Sequence, residues 1–180
     1  MKNTSRPNRK SWDIDNGECK MAGVAPQVEL VDLSRHRVAV ISASWHKEIC
    51  DALVAGAHRA LSAANVKIEP VIYVPGSFEL PLAAQLALDS GFDAAVVLGV
   101  VVRGETPHFD YVCKGVTDGV MRVTLDTSKP IGFGVLTVEN IEQAISRSGV
   151  EGSKEDKGFD SAVAALELLR IATGFAGSQG

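Results

Sequence analysis

Residues 92–102 read Phe92-Asp-Ala-Ala-Val-Val-Leu-Gly-Val-Val-Val102 and run directly into Arg103-Gly-Glu-Thr-Pro-His108. The apolar stretch is Val-rich and does not alternate with polar residues, which is the pattern of a strand buried on both faces. The segment that ends it holds Gly104 and Pro107, so it marks a turn. Residues 107–126 then carry helical spacing. A buried strand, a tight turn and a helix in succession form one half of a parallel α/β unit, and residues 92–102 are expected to be the central strand.

Outward from this unit the same alternation recurs. Residues 37–43, Arg37-Val-Ala-Val-Ile-Ser-Ala43, form a second buried strand. Residues 47–64 place Ile49, Leu53, Ala57 and Leu61 four apart, on one helical face. Residues 69–74 read as a third strand, and Pro70 at its start assigns it to a sheet edge. Residues 77–90 form a helix that tolerates Pro81 in its first turn. Residues 130–136 are the fourth strand. Thr137 is expected to cap a short helix over 138–146, with Glu139 in its first turn. A Gly-, Ser- and charge-rich loop spans 148–157, and a last helix over 158–172 sets Val163, Leu166 and Leu169 on one side. Strands alternating with helices imply a parallel sheet covered on both faces, with functional groups at the carboxyl ends of the strands.

Composition restricts the alternatives. Of 180 residues, 46% are hydrophobic and 22% charged, too apolar for a disordered chain and sufficient for one compact domain. No apolar window is long enough to span a membrane. A net charge of −4 argues against nucleic acid as the main partner. Cys19, Cys50 and Cys113 are odd in number and form no CxxC pair, which disfavours a disulfide framework or a zinc knuckle. With no apolar leader at the N-terminus, a reducing, cytoplasmic setting is expected. Residues 1–28 are polar and aperiodic and read as a flexible tail; residues 29–175 form the domain, and 176–180 a C-terminal tail.

Four segments end or follow the expected strands: 42–46 with Trp45 and His46, 74–79 with Ser77, Phe78 and Glu79, 103–108, and 132–134 with Phe133 between two glycines. They are expected to converge on one crevice. Thr106 suits an N-cap and Pro107 the first helical position. Gly104 lets a ligand approach the backbone closely, and the unpaired N–H groups that follow make an anion site suited to phosphate. His108 stands in the first turn beside such an anion, where it can move protons near neutral pH. Trp45 can stack on a planar heterocycle, or else pack on the sheet edge. His46 has no evident partner. Glu79 suits the helix dipole in any case, and also suits the hydroxyls of a polyol. Gly132 and Gly134 imply close approach of a ligand or of another backbone. Arg147 and Lys157 flank the last loop as phosphate cations or as plain surface charge. No GxGxxG, Walker A, HExxH or GxSxG motif occurs.

Ser44-Trp45-His46, Val74-Pro-Gly-Ser-Phe-Glu-Leu-Pro81, the stretch from Leu98 through Arg103-Gly-Glu-Thr-Pro-His-Phe-Asp-Tyr-Val112, Phe133-Gly-Val-Leu-Thr137 and Glu142-Gln-Ala-Ile-Ser-Arg147 together resemble the 6,7-dimethyl-8-ribityllumazine synthase family over residues 36–172. The resemblance implies a flavodoxin-like, three-layer α/β/α sandwich around a four-stranded parallel sheet. It implies condensation of 5-amino-6-(D-ribitylamino)uracil with 3,4-dihydroxy-2-butanone 4-phosphate, without metal or cofactor. By the same resemblance His108 transfers protons, and Trp45 covers the pyrimidine. Ser77, Phe78 and Glu79 hold pyrimidine and ribityl groups, and Val100, Val101 and Val102 supply backbone contacts. Glu105 and Thr106, with Gly104 beside them, form the phosphate turn. Phe133 and Arg147 reach in from a neighbouring subunit, Phe133 to the ring and Arg147 to the phosphate, and Lys157 lies near the site. The loop at 148–157 is longer than the compact loop of members that build sixty-subunit shells, which implies a homopentamer with active sites between subunits. The alternative is a non-catalytic flavin- or lumazine-binding protein of the same fold.

Overall fold

The computed structural model describes residues 30–177; the tail expected at 1–28, the last three residues and Cys19 lie outside them. Four parallel strands form one sheet in the order β2-β1-β3-β4. They are β1 (Val38–Ala43), β2 (Ile72–Val74), β3 (Ala94–Val102) and β4 (Ile131–Val138). The helices are α1 (Lys47–Ala63), α2 (Leu80–Asp89), α3 (His108–Thr127), α4 (Ile141–Ile145) and α5 (Lys157–Gly177). This is the expected α/β/α sandwich. β3 is an interior strand, paired with β1 on one side and β4 on the other, and β2 is an edge strand as expected, but it starts only at Ile72, so Pro70 lies before it and not within it.

The unbroken apolar character of β3 has a direct cause. Ala94, Val96, Leu98 and Val100 enter one core with Leu53, Ala57 and Leu61 of α1 and Ala162, Leu166 and Leu169 of α5. Ala95 and Val97 enter a second core with Leu80, Ala84 and Leu88 of α2 and Val116, Val120 and Val123 of α3. Successive side chains of a strand point to opposite faces, so a strand with a core on each face has no polar positions to spare.

The layers approach closely where glycines allow it. A Cβ on Gly158 would lie 2.1 Å from the Leu53 carbonyl oxygen, so α5 crosses α1 nearly backbone to backbone. Gly115 and Gly119 of α3 make room in the same way for Phe78 and Pro81. Of the glycines flanking Phe133, Gly132 serves another backbone, since a Cβ there would meet the Ser161 carbonyl of α5, and Gly134 makes room for side chains, since a Cβ there would meet Leu98 of β3 and the Ser161 hydroxyl.

Several boundaries differ from the sequence expectation. Thr137 is not a cap. It pairs with Val101 in the β3–β4 ladder, and β4 continues to Val138. The cap is Asn140, whose side-chain oxygen accepts the Gln143 N–H at 3.0 Å, so α4 starts at Ile141. Pro107, not Thr106, is the N-cap of α3, and no side chain caps that helix. Residues 77–79 form a 3-10 turn before α2 begins, with Pro81 at its start as expected. The last helix runs to Gly177, two residues into the expected C-terminal tail.

Candidate functional site

At the carboxyl ends of β1, β2 and β3 lies a cleft of about 750 Å³, lined by Trp45 and His46, by residues 75–79, by Val100, Val101 and Val102, and by His108, Tyr111 and Val112. Three of the four expected segments thus contribute, the 103–108 segment through His108 alone, while Gly104, Glu105 and Thr106 stand outside the lining. The Gly132-Phe133-Gly134 segment does not contribute, because β4 is the far edge of the sheet and Phe133 pairs in register with Val97, below the mouth.

The first wall is the turn after β1. Ser44 ties it to β2, its N–H at 2.9 Å and its hydroxyl at 2.8 Å both donating to the Val74 carbonyl. His46 adopts left-handed geometry (φ 54°) to start α1. The buried Cys50 thiol donates to the Trp45 carbonyl at 3.2 Å, and burial pushes that thiol up to about 11. The Trp45 backbone is therefore pinned while its side chain stays 69% exposed, which removes the packing explanation for this residue within one chain. Its ring reaches over Gly76, where a Cβ would lie 3.7 Å from Cδ1.

The second wall is the turn after β2. The Glu79 carboxylate reaches back to accept the Gly76 N–H at 2.9 Å, which fixes its position beside Trp45. Ser77 is buried at 7% exposure, and its hydroxyl has no hydrogen-bond partner. A buried hydroxyl left unpaired costs stability; this one lies against Gly99 of β3, where a Cβ would come within 2.6 Å of it, while Ser77 as a residue lines the cleft. Phe78 leans on Gly115 of α3 and remains largely exposed.

The third wall is β3 and the turn into α3. Arg103 anchors that turn. Its N–H donates to the Val138 carbonyl, its Nε to Glu139 at 2.7 Å and its Nη1 to Asp110 at 3.3 Å, while its guanidinium stacks on Phe109 at 4.1 Å. Those carboxylates hold the Arg103 pKa above its ordinary value, the hydrogen bond it donates to Glu139 first. Beyond it Gly104, Glu105 and Thr106 are exposed, and a Cβ at Gly104 would meet nothing. The first N–H groups of the long helix α3 follow, with His108 in the opening turn.

Phe133 stands between Ile131 and Val135 on the α2/α3 face of β4 and is 39% exposed. Arg147 and Lys157 also lie outside the cleft lining, but the fold joins them. The Lys157 N–H donates to the Arg147 carbonyl at 2.9 Å, and Glu155 stands between their side chains. Among the described residues, no cluster of three metal-binding side chains occurs, and no helix is long and apolar enough to cross a membrane.

Tyr111 is a cleft residue to which the sequence reading gave no role. It is 74% exposed and follows His108 by three positions, the spacing that sets two side chains on one helix face. That spacing was the available signal. His46, for which no partner was evident, also lines the cleft.

The family model described as 6,7-dimethyl-8-ribityllumazine synthase matches residues 35–173. A protein of that name from Nocardioides sp. is 53% identical over 146 residues, covering 81% of this chain and 91% of the relative. One from Kineococcus radiotolerans is 53% identical over 152 residues, covering 84% and 94%. One from Streptomyces avermitilis is 51% identical over 142 residues, covering 79% and 88%.

Proposed function

The chain belongs to the 6,7-dimethyl-8-ribityllumazine synthase family, and from that premise we propose that its cleft condenses 5-amino-6-(D-ribitylamino)uracil with 3,4-dihydroxy-2-butanone 4-phosphate. The observation that carries the reading is the meeting of an exposed indole, a buried serine, a fixed glutamate and a histidine at a helix start in one cleft. The family match over 35–173 supports treating residues 29–175 as one catalytic domain.

In this reading Trp45 covers the pyrimidine, and the backbone of Val100, Val101 and Val102 meets its edge. Ser77, Phe78 and Glu79 hold the ring and the ribityl chain. Gly104, Glu105 and Thr106 lead the phosphate to the N–H groups of α3, where the helix dipole favours an anion. The substrate amine attacks the ketone with loss of water. A proton moves through His108, phosphate leaves by elimination to an enol that tautomerises to a carbonyl, and the second amine closes the ring on that carbonyl with loss of a second water. Holding two reactants in register contributes about 7–11 kcal/mol in favourable cases, so the site needs modest acid–base power.

Phe133 and Arg147 serve a neighbouring subunit's cleft. What supports this is that Phe133 lies exposed on an edge strand, outside the cleft of its own chain. Leu82, Leu86, Met121 and Leu125 on the outer faces of α2 and α3 are exposed as well, as a subunit interface requires. The assembly is a homopentamer, and light scattering should return five chain masses; a megadalton-scale particle would overturn it. Nothing in the fold or its relatives favours the non-catalytic alternative. The direct test mixes both substrates with the full chain and follows lumazine absorbance together with phosphate release. Absence of both would reject the reading.

A further inference from the structure

The loop between α4 and α5 is built as a narrow hairpin. Ser148 and Asp156 form an antiparallel bridge, the Gly149 N–H donates to the Glu155 carbonyl at 3.1 Å, and the Glu155 N–H donates to the Ser146 carbonyl at 3.1 Å. Gly149 sits at φ 80°, and a Cβ there would strike the Asp156 carboxylate, so the turn requires glycine. Asp156 accepts the Phe159 N–H at 3.0 Å and pairs with Arg59 of α1. Glu155 is therefore fixed by its own backbone and by that of its neighbours.

Its carboxylate spans two cations unequally. Oε2 lies 2.6 Å from Lys157 Nζ, whereas Oε1 lies 3.7 Å from Arg147 Nε, beyond hydrogen-bond range. Lys157 has a second partner in Asp160 at 3.2 Å. Arg147 Nη1 donates to the Gln143 carbonyl at 3.0 Å, which fixes the guanidinium and leaves Glu155 as a loose charge partner. Two positive and two negative side chains cancel, so the cluster as it stands offers a phosphate little net attraction. A phosphate bearing two charges and three acceptor oxygens competes well with one carboxylate for a fixed guanidinium.

We propose that Glu155 is the resident counter-ion of the Arg147–Lys157 pair, which incoming phosphate displaces, and that it thereby sets how tightly the phosphate-bearing substrate and the released phosphate are held. The inference rests on the reading above that Arg147 meets the substrate phosphate. Its consequence is release: a carboxylate that returns to the cations keeps the product anion from lingering.

The test titrates inorganic phosphate into the full-length assembled enzyme by calorimetry and measures KM for each substrate. Glu155→Gln should bind phosphate about three- to tenfold more tightly, as loss of one partly screened charge allows. Its KM for the phosphate substrate should fall in step, with KM for the pyrimidine unchanged. Glu155→Ala, which keeps the backbone bonds, should behave alike. Glu151→Gln removes the same charge from the same loop without these contacts and should change nothing. If Glu155→Gln and Glu155→Ala leave phosphate affinity unchanged or weaker while Arg147→Ala weakens it, the counter-ion role fails alone. If Arg147→Ala leaves phosphate affinity intact, the phosphate reading of Arg147 fails, and the counter-ion role falls with it.

Discussion

Gly132 of β4 lies directly under the backbone of Ser161 in α5, where a Cβ would come within 2.1 Å of the Ser161 carbonyl oxygen. Backbone cannot swing aside as a side-chain tip can, so Gly132→Ala must push α5 off the sheet or bend β4. Overpacking of this kind costs roughly 1–3 kcal/mol. The urea midpoint of Gly132→Ala should fall accordingly. An unchanged midpoint would mean that the two backbones are not in contact in solution.

That contact also shows what a one-dimensional reading can and cannot deliver. The two glycines around Phe133 signalled close approach, but whether of ligand or of backbone depends on α5, which arrives from a distant part of the chain. β3 was legible because its burial on both faces is written residue by residue in Val and Ala. Thr137 misled because threonine suits a strand as well as a cap; the ladder to Val101 decided for the strand and left capping to Asn140. Arg147 and Lys157 were recognised as cations, but Glu155 between them was not, since that pairing exists only once the hairpin closes.

His108 opens α3 and lines the same cleft as Trp45 and Glu79. If positioning supplies most of the rate, His108→Ala should lower kcat by roughly 10²-fold, the lower end of general acid–base effects, and leave both KM values nearly unchanged. Steady-state kinetics decide it: an unaltered kcat removes His108 from the chemistry.

Trp45 is held by its backbone through Ser44 and Cys50, while its ring stays open to the cleft. Stacking on a flat heterocycle is worth about 1–3 kcal/mol in nucleotide-binding sites. Trp45→Ala should therefore raise KM for the pyrimidine substrate about tenfold or more, with a far smaller effect on the phosphate substrate. Equal changes in both would show that the indole shapes the whole cleft instead of covering one ring.

The Glu155–Lys157 pair predicts how stability follows pH. The hydrogen bond from Lys157 is the first cause holding the Glu155 carboxyl below its ordinary 4.5, and the same bond holds Lys157 above its ordinary 10.5. A carboxyl whose pKa falls on folding stabilises the fold above its unfolded value and loses that contribution as pH drops through the folded one. An amine whose pKa rises contributes below its unfolded value and loses it as pH climbs through the folded one. The pair therefore acts fully between about 4.5 and 10.5. Glu155→Gln should melt below the parent at pH 7, and the difference should shrink as the pH falls below 4.5 and through the lowered value of the folded carboxyl. A melting difference that does not shrink with falling pH would assign the loss to packing instead of charge. Combined with tighter phosphate binding in the same variant, the pH 7 difference would mark Glu155 as a residue that trades anion affinity for stability of the free hairpin.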